Sequence, residues 1–196
     1  MSHSIGSLIE WHILLAEEDY RNIGKFVEDY LQPSSLSDIE VFRCAALPPG
    51  DMCYLKINHW LDCHDIKSDD WYLVLADDNM VGPGALEALQ NIPTTIRVAI
   101  FSCLRGQRQV DHPCSTLIAR PDSIGICRTD LSQFVLRGSV YQCNRFHPGL
   151  PGGVSDGELI GRVHKEYSTA YFPEIFMHFN VLQPGRWDAE AFRHLF

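Results

Sequence analysis

The sequence predicts an α/β fold: a single domain with three α/β/α layers and a mostly parallel central sheet. Apolar runs of strand length alternate along the chain with stretches of helical period, which is typical of β-α-β units. Residues 71–76 (WYLVLA) are almost continuously apolar, as expected of a strand that is covered on both faces. The 196 residues suit one hydrophobic core, so we expect one domain over 1–196.

The first predicted β-α unit lies near the N-terminus. A short apolar run predicts a strand over 8–15, and the apolar residues of 23–31 recur on one helix face. The acidic residues 17–19 precede that helix, where its dipole favours negative charge. A strand over 39–47 and a helix over 51–66 form the next unit, separated by the prolines and glycine of 48–50.

The strand over 71–76 is followed by a helix over 85–90 and a strand over 95–104. Gly82 and Pro83 suit the first positions of that helix. Short connections between alternating elements favour parallel strands joined by right-handed crossovers.

Beyond residue 110 the predicted elements are shorter. The prolines and glycines of 144–154 indicate a loop that precedes a helix beginning near Ser155. The other elements expected in this half, 111–196, are strands over 116–119 and 124–127, a helix over 130–137 and a last strand over 175–182.

The composition restricts both partners and compartment. A formal net charge of -9 and a pI near 5.4, with no cluster of Lys and Arg, argue against nucleic acid as a partner. The seven cysteines form no C-x-x-C pair, which fits a reducing compartment. No signal peptide and no apolar run of about 18 residues are present, so we expect a cytoplasmic protein without a transmembrane segment. The sequence does not indicate an oligomeric state.

The strongest candidate for chemistry is the group Asp77, Asp78 and Asn79, directly after the most apolar strand. Open α/β sheets bind ligands at the carboxyl ends of their strands. Carboxylate oxygens suit Mg²⁺, which commonly binds one or two of them together with substrate phosphates. One aspartate could bind the metal while the other orients a ribose. The alternative is that the three residues simply form a turn before Gly82 and Pro83.

Residues 71–86 (WYLVLADDNMVGPGAL) resemble the strand, D-x-D motif and following helix of GT-A glycosyltransferases, especially family-2-like enzymes. The resemblance implies Asp78 as a ligand of Mn²⁺ or Mg²⁺, with Asp77 or Asn79 as support at the nucleotide. Ala76 stands where the family has the first aspartate of its triplet.

Two further segments extend this resemblance. Lys56 and Asn58 are similar in place to polar residues that face the nucleotide-sugar. Residues 152–163 (GGVSDGELIGRV) look like the acidic segment beside the acceptor pocket, which implies Asp156 as general base. For His178, within IFMHFNV, it implies a contact with the metal or diphosphate, and a satisfied core histidine is the alternative.

The spacing of Ser155 and Glu158 separates two roles within this acidic segment. Their S-x-x-E spacing predicts a capping box, so we expect Glu158 to be structural. Asp156 is not needed for that box and could accept a proton from an acceptor hydroxyl. It could equally be a favourable charge at a helix N-terminus.

By this resemblance, we expect a metal-dependent glycosyltransferase that moves a sugar from a nucleoside-diphosphate sugar to a hydroxyl acceptor. Residues 1–110 would form the nucleotide- and metal-binding half, and residues 111–196 the acceptor-side half and C-terminal tail. The alternative is a catalytically inactive GT-A-like module that binds a nucleotide or a protein. Ala76 motivates this alternative, as does a first strand that ends without the turn by which family-2 enzymes hold the base.

Overall fold

A computed structural model describes residues 9–16, 37–44, 54–76, 79–82, 84–105, 115–126, 128–147, 150 and 154–179. The chain divides into two compact units, Met1–Asp65 and Ile66–Phe196.

The first unit contains a parallel strand pair and a helix. Strand β1 (Ile9–Ala16) pairs in parallel with β2 (Ser37–Cys44), and helix α1 (Tyr54–Cys63) follows. These elements confirm the strands predicted over 8–15 and 39–47 and the helix predicted over 51–66. The helix predicted over 23–31 lies outside the described residues.

Aromatic contacts join β1 to α1 within this unit. The ring of His12 on β1 lies 4.7 Å, between centroids, from that of Trp60 on α1. Trp60 stacks on His64 at 4.5 Å, and Nδ1 of His64 is 2.8 Å from the carbonyl oxygen of Trp60.

The second unit is built on a six-stranded mixed sheet. Its strands are β3 (Trp71–Leu73), β4 (Met80–Val81), β5 (Val98–Arg105), β6 (Ser115–Leu117), β7 (Phe134–Arg137) and β8 (Thr169–Phe179). Their order is β3-β7-β5-β8-β4, and β6 pairs with β5 off this path. Its helices are α2 (Ala85–Gln90), α3 (Gly138–Cys143) and α4 (Ser155–Glu166), with 3₁₀ turns over Pro121–Ser123 and Leu131–Gln133.

The predicted three-layer α/β/α fold with a mostly parallel sheet is wrong. Within the described part of this sheet, β5 and β8 run parallel, whereas the other four pairings are antiparallel. The sheet is strongly curled into a half-barrel and is accompanied by few helices.

The segment 130–137 accounts for much of this difference. Instead of the predicted helix, it forms a 3₁₀ turn followed by β7, which lies between β3 and β5 and is antiparallel to both. Residues Phe134, Val135 and Leu136 are all buried, so this short apolar run is covered on both faces. Periodicity alone cannot distinguish such a run from a buried helix.

The strand predicted over 71–76 is shorter than expected. Only Trp71–Leu73 is extended in the sheet, as an edge strand paired with β7. The short strands β3 and β4 occupy the two ends of the strand order, and the chain passes from one to the other between Leu73 and Met80.

The centre of the sheet is the long parallel pair β5–β8. The register shifts twice near Ser102, opposite the part of β8 that contains Pro173. Proline has no N–H to donate, so a bulge is the place where a strand tolerates it. Ser102 Oγ donates to Phe172 O at 3.2 Å and accepts from Ala119 N at 3.0 Å, which ties β5 to both flanks at this irregularity.

The hydrophobic core of this unit lies against β5. It is formed by Leu89, Ile92, Ala99, Phe101, Cys103, Val135 and Met177. Across the described ranges, no helix is long and apolar enough to cross a lipid bilayer.

Candidate functional site

The predicted site residues are distributed over both units. Asp77 and Asp78 lie outside the described residues. Lys56 and Asn58 are on α1 in the first unit. The three other residues of the prediction, Asn79, Asp156 and His178, are in the second unit, and all three are buried.

The strand that follows Asp77 and Asp78 pairs with the strand that carries His178. Met80 on β4 is directly opposite His178 on β8, in an antiparallel pair. On the other side of β8, His178 is opposite Leu104 of β5. The sheet register therefore places His178 opposite Met80, which is two residues after Asp78 in the sequence.

A glycine makes room for the imidazole at this pairing. The N–H of Gly82 donates to Phe176 O at 2.6 Å. A Cβ added to Gly82 would lie 3.0 Å from His178 Nε2 and 3.1 Å from Phe176 O. A side chain at position 82 would clash with the imidazole of His178, so the glycine helps to set the position of that ring.

Asn79 is anchored to the 3₁₀ turn before β7. Its backbone N–H donates to Ala76 O at 3.1 Å, so the two residues that flank positions 77 and 78 are hydrogen-bonded to each other. Its side-chain Nδ2 donates to Ser132 Oγ at 3.0 Å. This side chain, 4% exposed, therefore links the segment after β3 to the turn before β7.

Ser132 belongs to a buried polar network formed by Asn79, Asp130, Ser132 and Gln133. The Ser132 hydroxyl donates to Asp130 Oδ1 at 2.6 Å, and the Ser132 N–H donates to the same oxygen at 3.1 Å. The N–H of Asp130 donates to Gln133 Oε1 at 2.8 Å. Burying these polar groups is tolerated because they satisfy one another.

Gln133 connects this network to the sheet. Its Nε2 donates to Phe101 O at 3.2 Å and to Leu117 O at 3.4 Å. On this side of β5, pairing with β7 ends at Ile100 and pairing with β6 begins at Cys103. The Gln133 side chain therefore supplies a donor to the β5 carbonyl that lies between the two ladders.

Sequence reasoning did not identify Asp130, Ser132 or Gln133 as site residues. Their pattern carries a usable signal, since Asp130 and Gln133 have the D-x-x-Q spacing of a capping box, which the structure forms. That spacing marks the start of a helical turn, and here the turn is a single 3₁₀ turn before a strand.

Asp156 lies in the first turn of α4 and is 4% exposed. Its Oδ1 accepts from the N–H of Gly157 at 2.7 Å. The predicted capping box is wrong: Val154 is the N-cap residue, and no side chain caps the helix. The Ser155 hydroxyl instead donates to His147 O at 3.0 Å, and Glu158 pairs with Arg162, with 3.2 Å between Oε1 and Nε.

The first turn of α4 packs against the segment before the polar network. A Cβ added to Gly157 would lie 2.6 Å from Ile126 Cα and 2.7 Å from Gly125 O. The N–H of Gly125 donates to Thr129 Oγ1 at 3.1 Å, and Asp130 follows directly. Residues 125–133 thus contact the Asp156 end of α4 on one side and Asn79 on the other.

The described residues do not by themselves form a metal site. Among them, no group of three or more His, Cys, Asp and Glu side chains is placed to hold a metal ion. His178 offers an imidazole and Asn79 an amide, both of which are metal-ligand types. The amide oxygen suits the cation that the resemblance implies, and the two carboxylates of that prediction are at positions 77 and 78, outside the described residues.

No family model matches the chain, and no curated protein matches it either. Its function therefore has to be inferred from its own residues and their geometry.

Proposed function

We propose that this protein binds a divalent cation and a nucleoside-diphosphate sugar and transfers the sugar to a hydroxyl acceptor. The observation that carries the proposal is the pairing of Met80 with His178. It brings a histidine to the strand that begins two residues after Asp78 and directly after the buried Asn79. Carboxylate and amide oxygens are ligands that suit Mn²⁺ and Mg²⁺, and in this proposal the imidazole would complete the ligand set.

The residues have separate roles in this proposal. Asp78 and His178 would hold the cation, with Asp77 and Asn79 supporting it and the nucleotide. When bound, the cation would offset the negative charge that develops on the leaving diphosphate. Asp156 would accept the proton of the acceptor hydroxyl. Lys56 and Asn58 remain predictions from the resemblance, as contacts of the nucleotide.

The proposal depends on these residues and not on the three-layer GT-A frame. Function follows from the groups in a site, and one chemistry can be supported by different folds. What supports it is that the segment from Gly125 to Gln133 packs against the first turn of α4, which carries Asp156, and binds the side chain of Asn79.

Calorimetry with UDP and with GDP tests the metal requirement. We expect binding of one of these nucleotides with Mn²⁺ present and its loss when a chelator is added. Asp78→Ala should abolish the metal-dependent part. Asp122→Ala is the matched control, because Asp122 is a surface carboxylate, 79% exposed, that faces Arg120. Equal affinity with and without chelator would refute the metal role.

A second candidate is a nucleotide-binding module without transferase activity. The burial of Asp156 favours it, because its carboxylate already accepts the N–H of Gly157 inside the protein. Release of sugar from UDP-glucose or GDP-mannose distinguishes the two candidates. Turnover that is lost in Asp78→Ala and kept in Asp122→Ala supports the transferase, and tight metal-dependent binding without turnover supports the module.

A further inference from the structure

The hydrogen bonds between Asn79, Ser132 and Asp130 have a direction that is set by Asp130. An ionised carboxylate only accepts hydrogen bonds. The Ser132 hydroxyl therefore donates its single proton to Asp130 Oδ1, at 2.6 Å, and its N–H reinforces this contact at 3.1 Å. The hydroxyl oxygen can then only accept from its other neighbour, Asn79 Nδ2, at 3.0 Å.

We propose that Asp130, acting through Ser132, is a positioning residue that fixes the orientation of the Asn79 carboxamide. Turning the carboxamide over would place its oxygen against the Ser132 oxygen, two acceptors without a proton between them. All three side chains are buried, so water cannot readily relieve such a contact.

The orientation decides what Asn79 can offer to a ligand. With its NH₂ group at Ser132, the end of the carboxamide that can coordinate a cation is the carbonyl oxygen. Mn²⁺ and Mg²⁺ bind amide oxygens and not amide NH₂ groups. This assignment of the ligand rests on the proposed function, whereas the orientation itself rests only on the hydrogen bonds.

NMR of the side-chain amide of Asn79 tests the orientation in the full chain. Its ¹⁵N–¹H signals are assigned by their loss in Asn79→Asp. In Asp130→Ala the acceptor of the Ser132 proton is removed, so this proton can turn toward Asn79 and the carboxamide is no longer held. Ser132→Ala removes the intermediate oxygen altogether.

In both variants we expect the Asn79 NH₂ signals to shift and to exchange with solvent about tenfold faster, as for loss of one hydrogen bond. Ser102→Ala is the matched control: it removes another buried hydroxyl of the same sheet, bonded to Phe172 and Ala119, and should leave these signals unchanged. Unchanged signals in Asp130→Ala and Ser132→Ala would overturn the positioning role.

Titration with Mn²⁺ alone, followed by electron paramagnetic resonance of the unbound ion, tests the ligand. We expect binding about tenfold weaker in Asp130→Ala than in the unaltered protein, a loss typical of residues that orient a metal ligand. Equal binding in the two proteins would overturn the inferred link to the cation. If the unaltered protein binds no Mn²⁺, the proposed function fails together with that link, and the NMR result alone then decides the orientation.

Discussion

The carboxylate of Asp156 can act as a proton acceptor or as a charge at the start of α4, and one substitution separates these roles. Asp156→Asn keeps an oxygen that can accept the N–H of Gly157 but removes the basic carboxylate. We expect sugar transfer to fall by about 10²- to 10⁴-fold, the usual contribution of general base catalysis. The free energy of unfolding should change by about 1 kcal/mol or less, the size of a helix-terminus charge effect.

Glu158→Gln provides the comparison within the same helix. Glu158 faces Arg162 and has no proposed role in the chemistry, so transfer should persist. Equal transfer rates in Asp156→Asn and the unaltered protein would assign Asp156 to the helix terminus alone.

His164 makes the stability of the protein dependent on pH. Burial lowers the pKa of His164, and Lys165 lowers it further. The unfolded chain therefore takes up a proton on this imidazole at about pH 6.5, whereas the folded protein takes it up only at lower pH. Proton binding therefore favours unfolding in this pH range. We expect the free energy of unfolding to fall as the pH decreases through about 6.5.

The contribution of His164 is isolated by substitution. In His164→Gln the fall in stability between about pH 7.5 and about pH 5.5 should be smaller, measured by urea denaturation. His147→Gln, at an exposed histidine, is the comparison. The same pH dependence in His164→Gln and the unaltered protein would contradict the role of burial at His164.

The site residues show which features a sequence pattern can predict and which it cannot. Asn79 and Asp156 were identified because an acidic or polar residue follows an apolar strand or begins a helix, and these are local signals. Ser132, which accepts from the Asn79 side chain, lies 53 residues farther along the chain, and no spacing along the sequence indicates that the two residues meet. Local chemistry could be predicted, whereas the hydrogen bonds that orient it could not.

At the scale of elements, the first turn of α4 depends on a glycine. Replacing Gly157 with alanine improves helix propensity by about 1 kcal/mol, but the added Cβ would overlap the backbone of Ile126 and Gly125. The overlap should dominate, because 2.6 Å is far inside van der Waals contact and backbone atoms cannot rotate away. We expect Gly157→Ala to destabilise the protein by about 1 to 3 kcal/mol in urea denaturation.

Gly161→Ala is a control on the same helix. Among the described residues, its Cβ would meet only Gly125 Cα, at 3.4 Å, which is ordinary contact. The gain in helix propensity should then remain, and the variant should be neutral or up to about 1 kcal/mol more stable. Similar effects at both glycines would show that the packing of α4 on 125–126 differs from the one described.

The accuracy of the predicted elements follows from how local their signals are. Helix α4 was predicted to begin near Ser155, because Ser155 follows a loop rich in Pro and Gly and has Glu158 three residues later. β7 was predicted as part of a helix, since an apolar run of three residues fits both structures. β8 begins six residues before the strand predicted from residue 175, because Pro173 and Glu174 interrupt the apolar pattern at the bulge.

At the scale of the whole molecule, strand order is the property that the sequence could not supply. Alternating elements predicted parallel pairing, and β1 with β2 and β5 with β8 do pair in this way. The insertion of β7 between β3 and β5 changes the rest of the second unit. Its position depends on pairing between residues far apart in the chain, which hydrophobic periodicity does not encode.

β5 is the strand on which the second unit depends, because β6, β7 and β8 all pair with it. Phe101, at its centre, is fully buried, with its ring stacked on Phe172 at 4.8 Å and edge-on to Phe176 at 5.6 Å. Truncating it removes contacts with the core and with β8 together. We expect Phe101→Ala to cost about 3 to 5 kcal/mol, a large part of the roughly 5 to 15 kcal/mol by which domains are stable.

Urea denaturation followed by the circular dichroism of the sheet measures this cost. Leu86→Ala is the comparison, because Leu86 is also a large apolar residue but is 50% exposed, and it should change the free energy of unfolding by about 0.5 kcal/mol or less. If both variants unfold at the same urea concentration, Phe101 does not lie at the centre of the core. The pairing of β5 with β8 would then be incorrect, and with it the register that places Met80 opposite His178.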